Sequence, residues 1–238
     1  MIVEDNGFIR PSGPALVIKL WQFNGNKETI NADYEMLKED TVLMKYTRFY
    51  EGFSNIQKDE NSISADYVMG RTVTVQKFDL STKKLVPSTI FSHGTAKITL
   101  RYDLGIVETR GTSWAAKMAI NKLEQVLAGN IKKYSIPKEK FFDLTKQATM
   151  LTNIKVNQLK EDALQSISLF GAVQDSHEWK KMMKNKESID IEFLRAQLMT
   201  PTRQILSCMI NNSGSLLIYK KGDGIAQNDV NWLIAQLV

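Results

Sequence analysis

Two hairpins that each lead directly into an amphipathic helix constrain this fold more than any other feature of the chain. Within Lys97–Leu127, two strands of alternating pattern turn at Asp103–Gly105 and are followed at once by a helical stripe of apolar residues. The pattern recurs within Ile205–Val238, where the turn falls at Asn211–Gly214. Each apolar stripe has to be buried against another layer, and the adjacent hairpin provides one. The sequence therefore predicts an α+β protein with antiparallel sheets covered on one face by helices.

The rest of the chain adds further strands and helices to this plan. In the first half, the expected elements are a strand at Ala15–Phe23, a short helix and then a strand within residues 32–50, and an exposed loop at Asn55–Ser64. An antiparallel meander follows up to Asp103, with a break at Ser92–Thr95. In the second half, we expect a helix after Pro137, a strand and a helix within residues 152–175, a short helix at Ser176–Lys184, and strands from Ser188 onwards. Placing Gly105 against Gly214 aligns the two hairpin-helix units and suggests an internal duplication, with two unrelated helix-covered sheets as the alternative.

Composition along the chain suggests three segments, which could also form one compact domain. Residues 1–66 are acidic and rich in strand signals, residues 67–130 hold the meander and the first helix, and residues 131–238 hold a helical connector and the second hairpin-helix unit. A chain of 238 residues is long enough for one large or two small domains.

Positive charge is concentrated in the middle of the chain. Residues 67–186 contain 20 lysines and arginines against 10 acidic residues, whereas the two ends together carry a net charge of −5. Such an asymmetry indicates a polyanionic partner, and nucleic acid is the commonest one. The alternative is a solvated basic surface with no such partner.

Two groups of basic residues are candidates for contacts with phosphates. The first lies on the strands of the first hairpin, where Lys97 and Arg101 share one face of a strand and Arg110 ends the partner strand. The second is a patch of four lysines around Trp179, namely Lys180, Lys181, Lys184 and Lys186, of which Lys180, Lys181 and Lys184 are the candidate contacts. Lysines and arginines bind phosphates without reading the base sequence. Lys220 and Lys221 occupy a related place in the second hairpin.

The segments ITLRYDLGIVETR and LSCMINNSGSLLIYKK, each followed by a helix, give the chain a resemblance to a known family. A polar strand, a short glycine turn, a second strand and a helix, used twice, resemble the saddle repeats of TATA-binding-protein-like folds. The resemblance covers about sixty residues and implies a curved sheet whose open face carries DNA-facing residues. The phenylalanine pairs that wedge between bases in that family have no counterpart in the two segments, so the resemblance does not extend to kinking of DNA.

No residue set in the chain defines a reaction, and we expect neither a catalytic site nor a cofactor. Asp190 and Glu192 alternate on one strand and could hold a metal ion, as in a metal-dependent nuclease, but a solvated strand face explains them as well. The single cysteine, Cys208, excludes an internal disulfide and favours the cytoplasm. No apolar run is long enough to span a membrane, so we expect no membrane partner.

The sequence therefore favours a non-catalytic nucleic-acid-binding protein, or a binding subunit of a nucleic-acid-handling complex. One alternative is a structural or protein-interaction subunit that forms an oligomer, and a second is the metal-dependent nuclease. Ten methionines suit the first alternative, because methionine adapts to partner surfaces.

Overall fold

A computed structural model describes residues 2–5, 7–11, 13–40, 50–160, 163–219, 222 and 224–238. The chain forms two compact units, a terminal unit of Met1–Trp21 with Lys133–Val238 and a central unit of Gln22–Lys132. One strand, Ser62–Asp79, runs through residues 66 and 67, where the sequence suggested a segment boundary.

The described elements alternate between long strands and short helices. The strands are β1 (Ile2–Asp5), β2 (Phe8–Pro11), β3 (Ala15–Phe23), β4 (Tyr50–Lys58), β5 (Ser62–Asp79), β6 (Lys84–Arg101), β7 (Ile106–Gly111), β8 (Ile131–Lys133), β9 (Ala148–Lys160), β10 (Ala163–Phe170), β11 (Ile189–Met199), β12 (Ile205–Asn211), β13 (Ser215–Tyr219) and β14 (Ile225–Ala226). The α-helices are α1 (Ile30–Glu39), α2 (Ser113–Leu127), α3 (Lys138–Gln147), α4 (His177–Lys184) and α5 (Gln227–Leu237). Short 3-10 turns lie at Lys27–Thr29, Val173–Asp175 and Lys186–Ser188.

The central unit is an antiparallel sheet in the order β4-β5-β6-β7, covered on one face by α2. Ala96, Ile98 and Leu100 of β6 alternate into the buried face, and the ring of Trp114 at the start of α2 lies against Gly94 on the same face. The helix begins where the Thr112 hydroxyl accepts a hydrogen bond from the Ala115 amide. Its apolar stripe is therefore buried against the sheet, as the periodicity predicted.

The terminal unit contains an antiparallel run of strands in the order β10-β9-β11-β12-β13-β3 and a small sheet of β1, β2 and β14. The β12–β13 hairpin turns at Gly214, whose φ is +75°. A Cβ atom there would lie 2.9 Å from the carbonyl oxygen of Tyr134 and 3.0 Å from that of Leu20. Both backbone conformation and space therefore require glycine at this turn. Helix α5 buries Val230, Leu233, Ile234 and Leu237.

The α+β class with mostly antiparallel sheet is confirmed, and so are the helices after Pro137, at Ser176–Lys184 and at the C-terminus. Three local predictions are wrong. Residues 55–58 and 62–64 belong to β4 and β5 rather than to a loop, and β6 continues through Ser92–Thr95. The described residues of 152–175 contain β9 and β10 and no α-helix. Most of the strand expected at Val42–Tyr50 lies outside the described residues.

The two units share an order of elements. In the central unit, α1 is followed by the neighbouring strands β4, β5, β6 and β7 and then by α2. In the terminal unit, α3 precedes β9, β11, β12 and β13, which are also neighbours in that order, and α5 follows. The internal duplication nevertheless stays a prediction, since a shared order of elements is common in helix-covered antiparallel sheets.

Candidate nucleic-acid interface

The strand candidates Arg101 and Arg110 lie beside a buried carboxylate. Arg101 Nη2 is 3.0 Å from Glu108 Oε2, and Arg110 Nε is 2.5 Å from Glu108 Oε1. Glu108 is completely buried and the Arg110 residue is 3% exposed, while the Arg101 side chain keeps 18% exposure. The two guanidinium groups therefore hold a carboxylate of their own sheet.

The charge state of Glu108 follows from these contacts. Burial alone would raise the pKa of Glu108, but the charges of Arg110 and Arg101, together with the hydrogen bonds that both donate, hold the pKa below its ordinary value. The carboxylate is thus ionised near neutral pH and offsets one of the two arginine charges. A phosphate that approached Arg110 would have to compete with Glu108 inside the fold. We therefore do not assign a phosphate contact to Arg101 or Arg110.

Lys97 lies on β6 between an acidic and a basic neighbour. It is the register partner of Asp66 on β5 and of Arg110 on β7, and it is partly buried. Asp66 in turn accepts a hydrogen bond of 2.8 Å from the Asn55 amide. Carboxylates therefore accompany the cations on this sheet face, at Asp66 and Glu108, which reduces its attraction for a polyanion.

The helix candidates have a different environment. The Ser176 hydroxyl accepts a hydrogen bond of 3.1 Å from the Trp179 amide and so starts α4. Trp179 and Met182 are 5% and 8% exposed, respectively, and fix one side of this short helix in the terminal unit. The opposite side is exposed and carries Lys180, Lys181 and Lys184. Since the indole of Trp179 is buried, it is not available to stack on a base.

Helix α3 brings further lysines close to the turn that follows α4. Lys138 Nζ donates a 2.9 Å hydrogen bond to the carbonyl oxygen of Glu187, which joins α3 to the turn that follows α4. Asp143 accepts a 2.7 Å hydrogen bond from Lys146. That bond and the charge of Lys146, followed by the charges of Lys186 and Lys140, hold the pKa of Asp143 below its ordinary value. Lysines from two separate segments thus surround one carboxylate.

We call this group the lysine cluster, and its members are Lys138, Lys140, Lys146, Lys180, Lys181, Lys184 and Lys186. The α4 lysines precede Lys186 by two to six residues, and all four side chains are exposed. The acidic residues on the same helices and turn are Glu139, Asp143, Glu178 and Glu187. The cluster therefore has a net charge of +3 with its carboxylates included.

Sequence reasoning named only three members of the cluster as candidate contacts. Lys138, Lys140 and Lys146 are separated from α4 by about 35 residues, and no local pattern indicates that α3 lies beside Lys186. The signal that was available is the excess of basic residues in 131–186, which hold 11 lysines against 6 acidic residues. Lys220 and Lys221 lie outside the described residues.

Other groups singled out in the sequence have structural partners. Glu192 Oε2 lies 2.6 Å from Lys155 Nζ and forms an ion pair with it, at the point where β11 bulges. Asp190 is exposed. Among the described residues, no group of three or more histidine, cysteine, aspartate or glutamate side chains could hold a metal ion. Burial raises the pKa of the Cys208 thiol to about 12, which suits packing rather than reactivity.

No helix in the described part of the chain is both long and apolar enough to cross a bilayer. No protein-family model matches the sequence, and no curated protein matches it either.

Proposed function

We propose that this chain is a non-catalytic nucleic-acid-binding protein, or a binding subunit of a larger nucleic-acid-handling complex, and that its lysine cluster contacts phosphates. The observations that carry the proposal are the exposure of Lys180, Lys181, Lys184 and Lys186 and the hydrogen bond by which Lys138 of α3 reaches the turn that follows α4. The α4 lysines are exposed, so their ammonium groups can reach a ligand without any rearrangement of the fold.

The expected mode of binding is electrostatic. An ammonium group is a compact charge with three donors, which suits a phosphate oxygen but does not read a base. The buried ring of Trp179 leaves the cluster without an aromatic platform on α4. We therefore propose binding to the backbone of duplex and single-stranded nucleic acid, with little dependence on base sequence.

The single buried cysteine agrees with a reducing compartment, and we place this binding in the cytoplasm.

The salt dependence of binding tests this proposal. If the cluster contacts about five phosphates of a duplex, the affinity should fall about 500-fold between 50 and 200 mM salt, because each contact releases condensed counterions. Fluorescence anisotropy with a labelled 20-base-pair duplex and its single strand, titrated at both salt concentrations, measures this change. Absence of binding at 50 mM salt, or an affinity that does not change with salt, would contradict the proposal.

A further inference from the structure

Strand β10 forms an edge of the sheet in the terminal unit. In the described part of the chain, its eight residues pair only with β9, at one end of the strand order. Ser166 and Ser168 are exposed, and Phe170 is 72% exposed. The outer edge of β10 is therefore open to a further strand.

The sequence of β10, ALQSISLF, lacks the features that normally keep edge strands from pairing. It contains no charged residue and no proline, and its register with β9 has no bulge. Charged side chains, proline and bulges are the usual means by which an edge strand avoids joining another chain. An uncharged edge of eight regular residues is instead typical of a strand that pairs.

One hydrogen bond shows which backbone groups of β10 point outwards. The amide of Gly171, directly after β10, donates a 3.0 Å hydrogen bond to the carbonyl oxygen of Thr152 on β9. Because inward and outward groups alternate along an antiparallel strand, Leu169 and Ile167 also bond to β9. The residues whose N–H and C=O groups point away from β9 are Leu164, Ser166, Ser168 and Phe170.

A second copy of β10 fits this edge in one register. Antiparallel pairing about a two-fold axis at Ile167 places Ser166 opposite Ser168 of the second copy, and Leu164 opposite Phe170. With their symmetry mates these make four pairs of outward residues, which can exchange about eight backbone hydrogen bonds. A shift by one residue would set outward groups against inward groups. Hydroxyl meets hydroxyl and apolar residue meets apolar residue, so the strand is complementary to itself.

The apolar layer of the sheet also continues across this axis. Ile167 and Leu169 are the register partners of Val156 and Ile154 on β9, which are completely buried. Ile167 and Leu169 themselves are only partly buried. Pairing places Ile167 against Ile167 of the second copy, and cross-strand contacts of this kind stabilise a sheet.

We propose that two copies of this chain form a symmetric dimer by antiparallel pairing of their β10 strands, with Ile167 on the two-fold axis. The same edge of each copy is used, so the assembly closes at two chains. The dimer carries two lysine clusters. Its formation needs no nucleic acid and no lysine of the cluster, so this inference is independent of the proposed function and goes beyond it.

Sedimentation velocity on nucleic-acid-free protein, up to about 100 μM, tests the dimer. Wild type should sediment at twice the 27.0 kDa of the chain. Ser168→Pro should dimerise more than about tenfold more weakly, because it removes an outward N–H from each strand but none of the hydrogen bonds between β9 and β10. The matched control Ser168→Thr keeps the N–H and should dimerise like wild type. Circular dichroism checks that both variants fold.

A cysteine at the axis then tests the register. A non-hydrogen-bonded antiparallel pair has Cα atoms about 4.5 Å apart, within reach of a disulfide, so oxidised Ile167→Cys should run as a covalent dimer on a non-reducing gel. Leu169→Cys is the matched control and should stay monomeric there, because its counterpart lies four positions along the second strand, about 13 Å away. Cys208 is buried in both variants.

Three results would each overturn the inference. They are a monomeric wild type at the highest concentration, a folded Ser168→Pro that dimerises as tightly as wild type, and cross-linking of Leu169→Cys equal to that of Ile167→Cys.

Discussion

Replacing Glu108 by glutamine should lower the free energy of unfolding by about 3–5 kcal/mol, because two guanidinium groups would lose their buried counter-charge. Glutamine preserves the shape of the side chain but can accept from only one of the two arginines through its single carbonyl oxygen. The side chain of Arg110 is only 4% exposed, so water cannot replace the acceptor that its guanidinium group would lose. Urea unfolding, followed by tryptophan fluorescence at pH 7, measures the loss.

Glu35→Gln is the matched control, since Glu35 pairs with Lys38 on the exposed surface of α1 and should contribute less than about 1 kcal/mol.

The pKa of Glu108 is below its ordinary value in the folded state. Its stabilisation is therefore complete above the unfolded pKa of about 4.3 and is lost as the pH falls through the native pKa. The gap between wild type and Glu108→Gln should close in acid. Equal losses for the two variants at pH 7 would contradict the role of Glu108.

Replacing Lys180, Lys181 and Lys184 by glutamine should weaken nucleic-acid binding about 500-fold at 100 mM salt, because each of the three lost phosphate contacts costs about eightfold there. The three side chains are exposed, so the substitutions should leave the fold unchanged. Anisotropy titrations of the same duplex and single strand used for wild type provide the measurement. We expect similar losses for both forms, since phosphate contacts do not distinguish base sequence.

The matched control removes the same total charge from the central unit, through Lys38→Gln, Lys58→Gln and Lys117→Gln, all at exposed positions. If binding follows the lysine cluster, the control should lose less than about fivefold in affinity, because it removes none of the proposed phosphate contacts. Equal losses in the two triple variants would show that only the net charge of the chain matters.

Local sequence signals predicted the helices α2 to α5 well, although the helix expected within residues 152–175 is wrong because β9 and β10 lie there. The 3.6-residue stripe of α2, its Thr112 cap and the apolar positions of α5 are all present as expected. Strand ends were harder, since the polar residues of Asn55–Ser64 look like a loop although seven of the ten belong to the ends of β4 and β5. Backbone pairing tolerates polar side chains on an open face, which weakens the alternation that identifies strands.

The candidate site depended on contacts that no local pattern encodes. Alternation along the hairpin placed Arg101 and Arg110 as surface residues, but the packing of the folded unit buries Glu108 and most of Arg110. Conversely, Lys138 of α3 reaches the turn at Glu187 that follows α4, a contact that spans 49 residues of sequence. Tertiary packing thus decides which cations can meet a ligand, and charge counts along the chain do not.

Acetylation of lysines with and without bound nucleic acid, quantified by mass spectrometry, tests the central claim most directly. Binding through the lysine cluster predicts that Lys180, Lys181, Lys184 and Lys186 lose reactivity in the complex, while Lys38, Lys58 and Lys117 keep theirs. Protection confined to Lys77, Lys83 and Lys84 of the β5–β6 hairpin or spread evenly over the chain, with the α4 lysines as reactive as in the free protein, would contradict it.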